Sequence, residues 1–161
     1  MPAKVVEDCA RLLAEKELNI AFAESATVGR MAAEFGLTDE AGKILKGGIV
    51  CYDAGVKEDL LQVDDKIVEE FTPESAEVTE AAAKGLRTLI PASIHVAITG
   101  LTCPGGSESE DKPVGTMFIH CISDKFEFAD RTEFTGGKEV IIMKCIEHFA
   151  EMLIQEISPD H

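Results

Sequence analysis

Residues 20–29 read Ile20-Ala21-Phe22-Ala23-Glu24-Ser25-Ala26-Thr27-Val28-Gly29 and join an apolar run to a small polar cluster. The apolar run predicts a strand, and a helical pattern begins after the cluster. A serine at the carboxyl end of a strand lies beside the first unpaired N–H groups of the next helix, which can hold an oxyanion or a phosphate. Ser25 is therefore a candidate nucleophile. The alternative is that Ser25 or Thr27 is an ordinary N-cap.

Strand and helix patterns alternate along the rest of the chain. We first expect a helix with Val5, Cys9, Leu12 and Leu13 on one face, a strand over 19–23 and a helix that ends at Gly36. A buried strand over 48–52 follows, then a helix capped by Asp53 that contains Lys57, and a long helix from 72–75 to about Leu89. The last elements are a strand over 93–99, a hairpin of 114–122 and 126–134, and a helix after Gly136-Gly137 with a buried stripe of Val140, Ile141, Cys145, Phe149 and Leu153.

This order of elements predicts an α/β fold. Strands separated by helices favour a largely parallel sheet covered on both faces, whereas the hairpin requires one strand to oppose the others. The predicted fold class is a three-layer α/β/α sandwich with a mixed, mostly parallel sheet of about five strands, one of them antiparallel. With 161 residues, of which 45% are hydrophobic, we expect one domain over residues 1–161.

The charge balance argues against two classes of partner. Thirty acidic and fifteen basic residues give a net charge of -15, which repels a nucleic-acid backbone and an anionic membrane surface. We expect neither nucleic acid nor membrane as a partner, and the acidic excess is read as a solubilising surface. The chain shows no signal-peptide core and no apolar run of membrane-spanning length, so a cytoplasmic location is predicted.

Cysteine and histidine spacing indicates neither disulfides nor a metal. The cysteines are odd in number, scattered and without a C-x-x-C pair, which is typical of reduced thiols. The histidines lack metal-ligand spacing, so no metal is predicted. These residues are Cys9, Cys51, Cys103, Cys121, Cys145, His95, His120, His148 and His161.

A second glycine-bearing loop follows the strand expected over 93–99. Thr99-Gly100 and Pro104-Gly105-Gly106 supply backbone N–H groups that can receive a phosphate or a ribose. The same pattern also fits an ordinary flexible loop.

Four segments together resemble the carboxyl-terminal domain of the CinA competence/damage-inducible family, which includes stand-alone nicotinamide mononucleotide (NMN) deamidases of the PncC type. They lie in register over nearly the whole chain. They are Ala23-Glu24-Ser25-Ala26-Thr27-Val28-Gly29, Gly47-Gly48-Ile49-Val50-Cys51-Tyr52-Asp53-Ala54-Gly55-Val56-Lys57, Ile98-Thr99-Gly100-Leu101-Thr102-Cys103-Pro104-Gly105-Gly106 and Lys112-Pro113-Val114-Gly115-Thr116.

The resemblance implies the same α/β/α architecture, a possible homo-oligomer and a Ser–Lys dyad. Ser25 needs a base, and no histidine occupies the four segments. Lys57 follows another strand end at the same sheet edge and can serve if burial lowers its pKa; otherwise it is a solvated helix lysine. Tyr52 either orients Lys57 or substrate through its hydroxyl, or simply packs. Thr27 and Gly29 either let backbone amides approach substrate or only start a helix.

A mononucleotide substrate needs local positive charge, for which Lys112 and Lys138 are the candidates. Lys138 stands where family members carry an arginine, and Ile142 occupies the position of a second one, so the bidentate fork is lost. Further departures from the family pattern are Ala26, Val28, Asp53, Ala54, Thr102 and Cys103. Val28 places a β-branched side chain where we expect little space, and Asp53 adds an anion that disfavours neutral Lys57.

Three functions follow for testing. The first is NMN deamidation without a cofactor, with Ser25 as nucleophile, Lys57 as base and an oxyanion site at the backbone amides of Ala26 and Thr27. The second is a catalytically altered or inactive relative that binds a nucleotide-like ligand or a protein partner. The third is a thiol-dependent protein using Cys103, for which no paired histidine is evident.

Overall fold

In the computed structural model, which describes residues 1–158, five strands form one mixed sheet. The elements in chain order are α1 (Lys4–Glu15), β1 (Ile20–Glu24), α2 (Arg30–Gly36), α3 (Ala41–Ile44), β2 (Leu45–Val50), α4 (Ala54–Leu61), α5 (Asp65–Phe71), α6 (Ala76–Leu89), β3 (Ile94–Gly100), β4 (Thr116–Ser123), β5 (Glu127–Glu133) and α7 (Lys138–Ile157). His161, one of the histidines considered above, lies outside the described residues.

The sheet order is β2-β1-β3-β4-β5. Strand β1 pairs in parallel with β2 and β3, and β4 runs antiparallel to both β3 and β5. The predicted fold class is therefore confirmed, with β4 as the one strand that opposes the others.

Each face of the sheet packs on its own hydrophobic cluster because neighbouring strand residues point to opposite faces. Phe22 of β1 lies in the cluster with α1 and α7, and its ring centroid is 5.3 Å from that of Phe35 and 6.3 Å from that of Phe149. Ala21 and Ala23, its neighbours, face the cluster formed with α4 and α6. Their small side chains let these helices approach the sheet closely.

Two expectations about burial are wrong. The strand expected to be buried over 48–52 is β2, which begins three residues earlier and alternates between partly buried and exposed residues. Its position at the sheet edge, paired only with β1, explains the alternation. Val140 is exposed, unlike the other members of the predicted α7 stripe, because it lies about 100° around the helix from Ile141.

The parallel strands bring three loops to one edge of the sheet. β2 and β3 flank β1, so the segments that follow β1, β2 and β3 start side by side at their carboxyl ends. In open α/β sheets this edge, where the strand order changes direction, is where ligands bind. Within residues 1–158, no helix is long and apolar enough to cross a membrane.

Candidate active site

Ser25 is held in a defined turn directly after β1. Its backbone N–H donates to the carbonyl of Ile98 on β3 at 3.0 Å, and its own carbonyl accepts from the N–H of Val28 at 3.1 Å. The side chain is almost fully buried. The turn therefore fixes the direction of the hydroxyl relative to the sheet.

Lys57 approaches Ser25 from α4. Asp53 is the N-cap of this helix, as predicted, and its carboxylate accepts from the N–H of Gly55 at 2.8 Å. Lys57 Nζ lies 3.1 Å from Ser25 Oγ and 3.4 Å from the carbonyl oxygen of Tyr52. Only 1% of the Lys57 residue is exposed, so it is not a solvated helix lysine. The two side chains meet at the shared sheet edge, as expected, and their catalytic roles stay a prediction.

Burial lowers the pKa of Lys57 below its ordinary value, because an ammonium loses its hydration in the protein interior. Electrostatic interactions with Cys51, then Glu74 and Asp53, act in the opposite direction, each with a smaller effect. The anion at Asp53 therefore does not decide the protonation of Lys57. A lysine with a lowered pKa can supply the neutral amine that a general base requires.

Tyr52 contributes to this contact through its backbone. Its carbonyl, not its hydroxyl, accepts from Lys57. The residue is 55% exposed, and Lys138 Nζ lies 6.0 Å from the centroid of its ring. The interpretation in which the Tyr52 hydroxyl orients Lys57 is therefore wrong, and a contact of the ring or hydroxyl with substrate stays a prediction.

Glu24 organises the turn that follows Ser25. Its buried carboxylate accepts from Thr27 Oγ1 at 2.6 Å, from the N–H of Met31 at 2.8 Å and from the N–H of Ala32 at 2.9 Å. Neither the Ser25 nor the Thr27 side chain caps α2. The N–H of Arg30, the first residue of the helix, donates to the carbonyl of Thr27 at 2.8 Å, and the next two N–H groups bond to Glu24. These helix N–H groups are consequently not available to an oxyanion.

The backbone N–H groups of Ala26 and Thr27 remain available. Among residues 1–158, no protein group accepts a hydrogen bond from either of them. They lie next to Ser25 in the chain, and Ala26 lines the cavity described below. They remain the predicted oxyanion site.

Val28 and Gly29 adopt left-handed backbone conformations, with φ values of 47° and 90°. Gly29 tolerates this, but a β-branched residue does so rarely and with strain. Val28 is 46% exposed. The exposed side chain has room, so the expectation that it lacks space is wrong. The strain at this position comes from the left-handed backbone.

A cavity of about 250 Å³ opens at Ser25. Its walls come from the loops after β1, β2 and β3 and from the segment before α6; they are Ser25, Ala26, Tyr52, Glu74, Gly100, Leu101, Thr102, Cys103, Pro104, Gly105 and Gly106. A β-carbon at Gly100 would collide with the Met117 side chain and the Thr116 carbonyl, so only glycine lets β3 and β4 meet here.

The glycine loop already holds a carboxylate. Glu108 accepts from the N–H of Gly105 at 3.0 Å and from the N–H of Gly106 at 2.9 Å. The bond from Gly105 is the main cause that lowers the pKa of Glu108. The expectation that these N–H groups are open to a phosphate or ribose is wrong for this conformation.

Two predicted substrate-binding residues have other contacts. Lys112 Nζ donates to Thr72 Oγ1 at 2.6 Å and to the carbonyl of Glu74 at 2.7 Å, which ties its loop to the start of α6. Thr99 is buried, and its hydroxyl lies 2.8 Å from that of Thr79. Neither lines the Ser25 cavity, so both are assigned to the support of its walls.

Lys138 and Gly29 line a shallow hollow that neighbours the cavity. Its other residues are Val28, Arg30, Ala33, Glu139 and Ile142. Arg30 donates from Nε to Glu34 at 2.8 Å and from an η nitrogen to Glu139 at 3.3 Å. Tyr52 lies near both spaces, since it lines the cavity and its ring centroid is 6.0 Å from Lys138 Nζ.

Sequence reasoning missed Glu24, Glu74 and Arg30. Glu24 carried a signal, because an acidic residue between a strand and a helix start favours the helix dipole. Glu74 and Arg30 carried none beyond charge, since their place at the site depends on how α6 and α2 pack.

Comparison with known proteins places this chain in a family. The model of the CinA C-terminal domain matches residues 2–157. A putative competence-damage inducible protein of Desulforudis audaxviator is 31% identical over 141 residues, covering 88% of this chain and 33% of that protein. A CinA-like protein of Mycobacterium avium is 43% identical over 117 residues, covering 71% of this chain and 26% of that protein. The chain thus spans between about a quarter and a third of these relatives' length.

Solved structures share the fold. A competence/damage inducible protein from Agrobacterium tumefaciens superposes with a TM-score of 0.88 at 25% identity, covering 96% of this chain and 97% of the other. A CinA superfamily protein from Klebsiella pneumoniae gives a TM-score of 0.89 at 24% identity, covering 96% of each chain. Because the family model matches nearly the whole of this chain, the chain belongs to the CinA C-terminal domain family.

Proposed function

We propose that this protein is an amidohydrolase that converts NMN to nicotinate mononucleotide and ammonia. The observation that carries the proposal is the contact between buried Lys57 and Ser25, 3.1 Å from Nζ to Oγ. A serine hydroxyl becomes a useful nucleophile when a base lies within hydrogen-bond reach, and burial lowers the pKa of this lysine.

In the acylation step, neutral Lys57 takes the proton of Ser25 as Oγ attacks the carboxamide carbon. The carbonyl oxygen gains negative charge and receives hydrogen bonds from the N–H groups of Ala26 and Thr27. The tetrahedral intermediate collapses when Lys57 returns the proton to the amide nitrogen. Ammonia leaves, and the nicotinoyl group remains as an ester on Ser25.

In the deacylation step, Lys57 takes a proton from a water molecule that attacks the ester carbon. Collapse of the second intermediate breaks the bond to Ser25 Oγ, which regains its proton from Lys57. The product is the carboxylate, and the dyad is restored. No redox group is needed, because hydrolysis neither oxidises nor reduces the substrate.

The shape of the site supports a ring bound inside and a nucleotide outside. A volume of about 250 Å³ is smaller than most sites that enclose a whole ligand. Glu74 on the cavity wall complements the positive pyridinium ring of NMN. The ribose and phosphate would then pass Tyr52 toward Lys138 and Arg30 in the neighbouring hollow.

The test is ammonia release from NMN by the purified protein. We expect release by the unaltered chain and loss of at least about 100-fold in Ser25→Ala, since a nucleophile and its base act as a unit. Ser158→Ala is the matched control, because within residues 1–158 its hydroxyl bonds only to the carbonyl of Ile154. Release that persists in Ser25→Ala would contradict the proposal.

A second candidate function is ligand binding without turnover. It is favoured because Glu108 on the glycine loop and Glu139 on Arg30 occupy groups that would anchor a phosphate, so NMN bound through its ring alone would lack the anchor that positions the carboxamide for attack. An NMN-dependent rise in melting temperature without ammonia release would support this function over the first.

A further inference from the structure

Three side chains with metal-binding atoms converge at a place that none of the site residues occupies. They are Glu80 of α6, His120 of β4 and Glu127 of β5, and one ligand atom of each lies within 4.8 Å of those of the other two. His120 Nε2 and Glu127 Oε1 are 2.8 Å apart and share a hydrogen bond. His120 is buried, Glu80 is partly exposed and Glu127 is exposed, so an ion can enter from solvent.

We propose that these three residues bind a divalent transition-metal ion, and that Zn²⁺ is the ion they fit best. A neutral imidazole with two carboxylates supplies one nitrogen and two oxygen donors, and their charge of −2 balances the ion. An imidazole donor favours Zn²⁺ over Mg²⁺ and Ca²⁺, which prefer oxygen ligands alone. Water would fill the remaining position of a tetrahedron.

The spacing suits this geometry after small side-chain movements. Zn²⁺ holds its nitrogen and oxygen ligands at about 2.0–2.2 Å, which places neighbouring donors about 3.3 Å apart. The observed separations, from 2.8 Å to at most 4.8 Å, include that distance. The His120–Glu127 pair must open slightly as the ion replaces the shared proton, and the two glutamates, one partly exposed and one exposed, can adjust.

The backbone positions of the three residues are set by the fold. His120 pairs with Ala129 across the β4–β5 ladder, so Glu127, two residues away on β5, lies on the same face of the sheet. Helix α6 packs against β4, so its residue Glu80 lies near the face of the sheet that carries His120 and Glu127. Sites built on helices and strands are more precise than sites on loops.

Nearby cations set the strength of the site. Lys84 Nζ lies 3.1 Å from Glu80 Oε1 and competes with a metal ion for that carboxylate. Loss of the Lys84 charge should therefore strengthen metal binding.

Sequence spacing did not reveal the cluster, because its members come from a helix and two strands. No two of them form a short motif such as His-x-x-x-His. The pairing of β4 with β5 and the packing of α6 bring them together, so the prediction of no metal rested on spacing alone.

The test is Zn²⁺ binding by the full chain after removal of metal with EDTA, measured by competition with a chromophoric chelator. Cys103 is an exposed thiol that can bind Zn²⁺ by itself, so every variant carries Cys103→Ser. We expect one ion per chain. Glu80→Gln and Glu127→Gln should each weaken Zn²⁺ binding by at least about tenfold. Loss of a residue that only hydrogen-bonds a metal ligand already costs about 10–100-fold in affinity, so loss of a ligand should cost at least as much. Lys84→Gln should tighten Zn²⁺ binding.

The matched control is His148→Gln. His148 Nε2 lies 3.0 Å from Asp130 Oδ2, a pair of the same kind, but in the described chain it forms no three-residue cluster. Its loss should leave Zn²⁺ affinity unchanged. Three outcomes would overturn the proposal. They are an absence of saturable Zn²⁺ binding, a Zn²⁺ affinity in Glu80→Gln and Glu127→Gln equal to that of the chain with only Cys103→Ser, and Mg²⁺ binding as tight as that of Zn²⁺.

Discussion

Lys57 Nζ lies 3.1 Å from Ser25 Oγ, although 32 positions separate the two residues in the chain. The parallel pairing of β1 with β2 creates this contact, because it places the end of β2 and the start of α4 beside the turn after β1. One residue supplies the hydroxyl, and the other reaches it through a buried side chain.

The first prediction concerns pH. If neutral Lys57 is the base, kcat should rise with pH and level off above the pKa of Lys57, which burial holds below its ordinary 10.5. Lys57→Arg should lose activity at all accessible pH values, because a guanidinium does not deprotonate in proteins. The measurement is a pH–rate profile of ammonia release. Equal activity in Lys57→Arg would exclude Lys57 as the base.

The second prediction concerns stability. The folded-state pKa of Lys57 is lowered, so the unfolded chain binds more protons between that pKa and 10.5, and the free energy of unfolding rises with pH in that range. Below the folded-state pKa, the buried ammonium destabilises the protein. Lys57→Met should therefore raise the melting temperature at neutral pH by at least about 2 °C, as roughly 1 kcal/mol does in a domain of this size.

Lys4→Met is the control for this second prediction, because Lys4 is exposed and, among the described residues, pairs only with Asp8. Its melting temperature should stay within about 1 °C of the unaltered chain, as expected for surface changes of less than 0.5 kcal/mol. A lower melting temperature in Lys57→Met would show that the ammonium contributes more through its hydrogen bonds than its burial costs.

The third prediction concerns strain at Val28. Its φ of 47° is left-handed, a conformation that costs a residue with a β-carbon about 1–2 kcal/mol and glycine little. Val28→Gly should raise the melting temperature by about 2–4 °C, after an offset for the greater freedom of the unfolded chain. Val28→Ala keeps a β-carbon and should gain less. Thermal unfolding of both variants decides the matter, and a loss in Val28→Gly would refute the strain.

Sequence reasoning predicted that Ser25 and Lys57 lie close together, but not what surrounds them. Ser25 and Lys57 each follow a strand, and parallel strands share an edge, so their meeting follows from general topology. The position of β2 at the edge of the sheet does not follow from topology alone, because the strand order depends on how the helices pack on the two faces of the sheet. Glu108 and Lys112 show the same limit: the sequence marked a glycine loop and a cation, whereas their hydrogen-bond partners depend on how that loop folds.

The fourth prediction concerns the neighbouring hollow. Val28 and Ile142 both line it, and neither lines the Ser25 cavity. Val28→Gly combined with Ile142→Arg should open space and add a phosphate-binding fork, so NMN turnover or affinity should rise. Steady-state kinetics of ammonia release are the measurement. Unchanged kcat and KM would show that these positions do not limit the reaction.

The last prediction concerns which anions bind. A net charge of -15 disfavours duplex DNA, whereas one small anion responds to nearby cations over a few ångströms. NMN or inorganic phosphate should therefore raise the melting temperature through preferential binding to the folded state, and duplex DNA should not. Lys138→Ala should weaken the response to both small anions, because Lys138 and Arg30 are the cations of the hollow. Lys4→Ala, which removes a lysine that lines neither space, should not. A melting-temperature response in Lys138→Ala equal to that of the unaltered chain would place the phosphate elsewhere. Tight, salt-sensitive binding of duplex DNA in a shift assay would contradict the charge argument and require a concentrated basic surface.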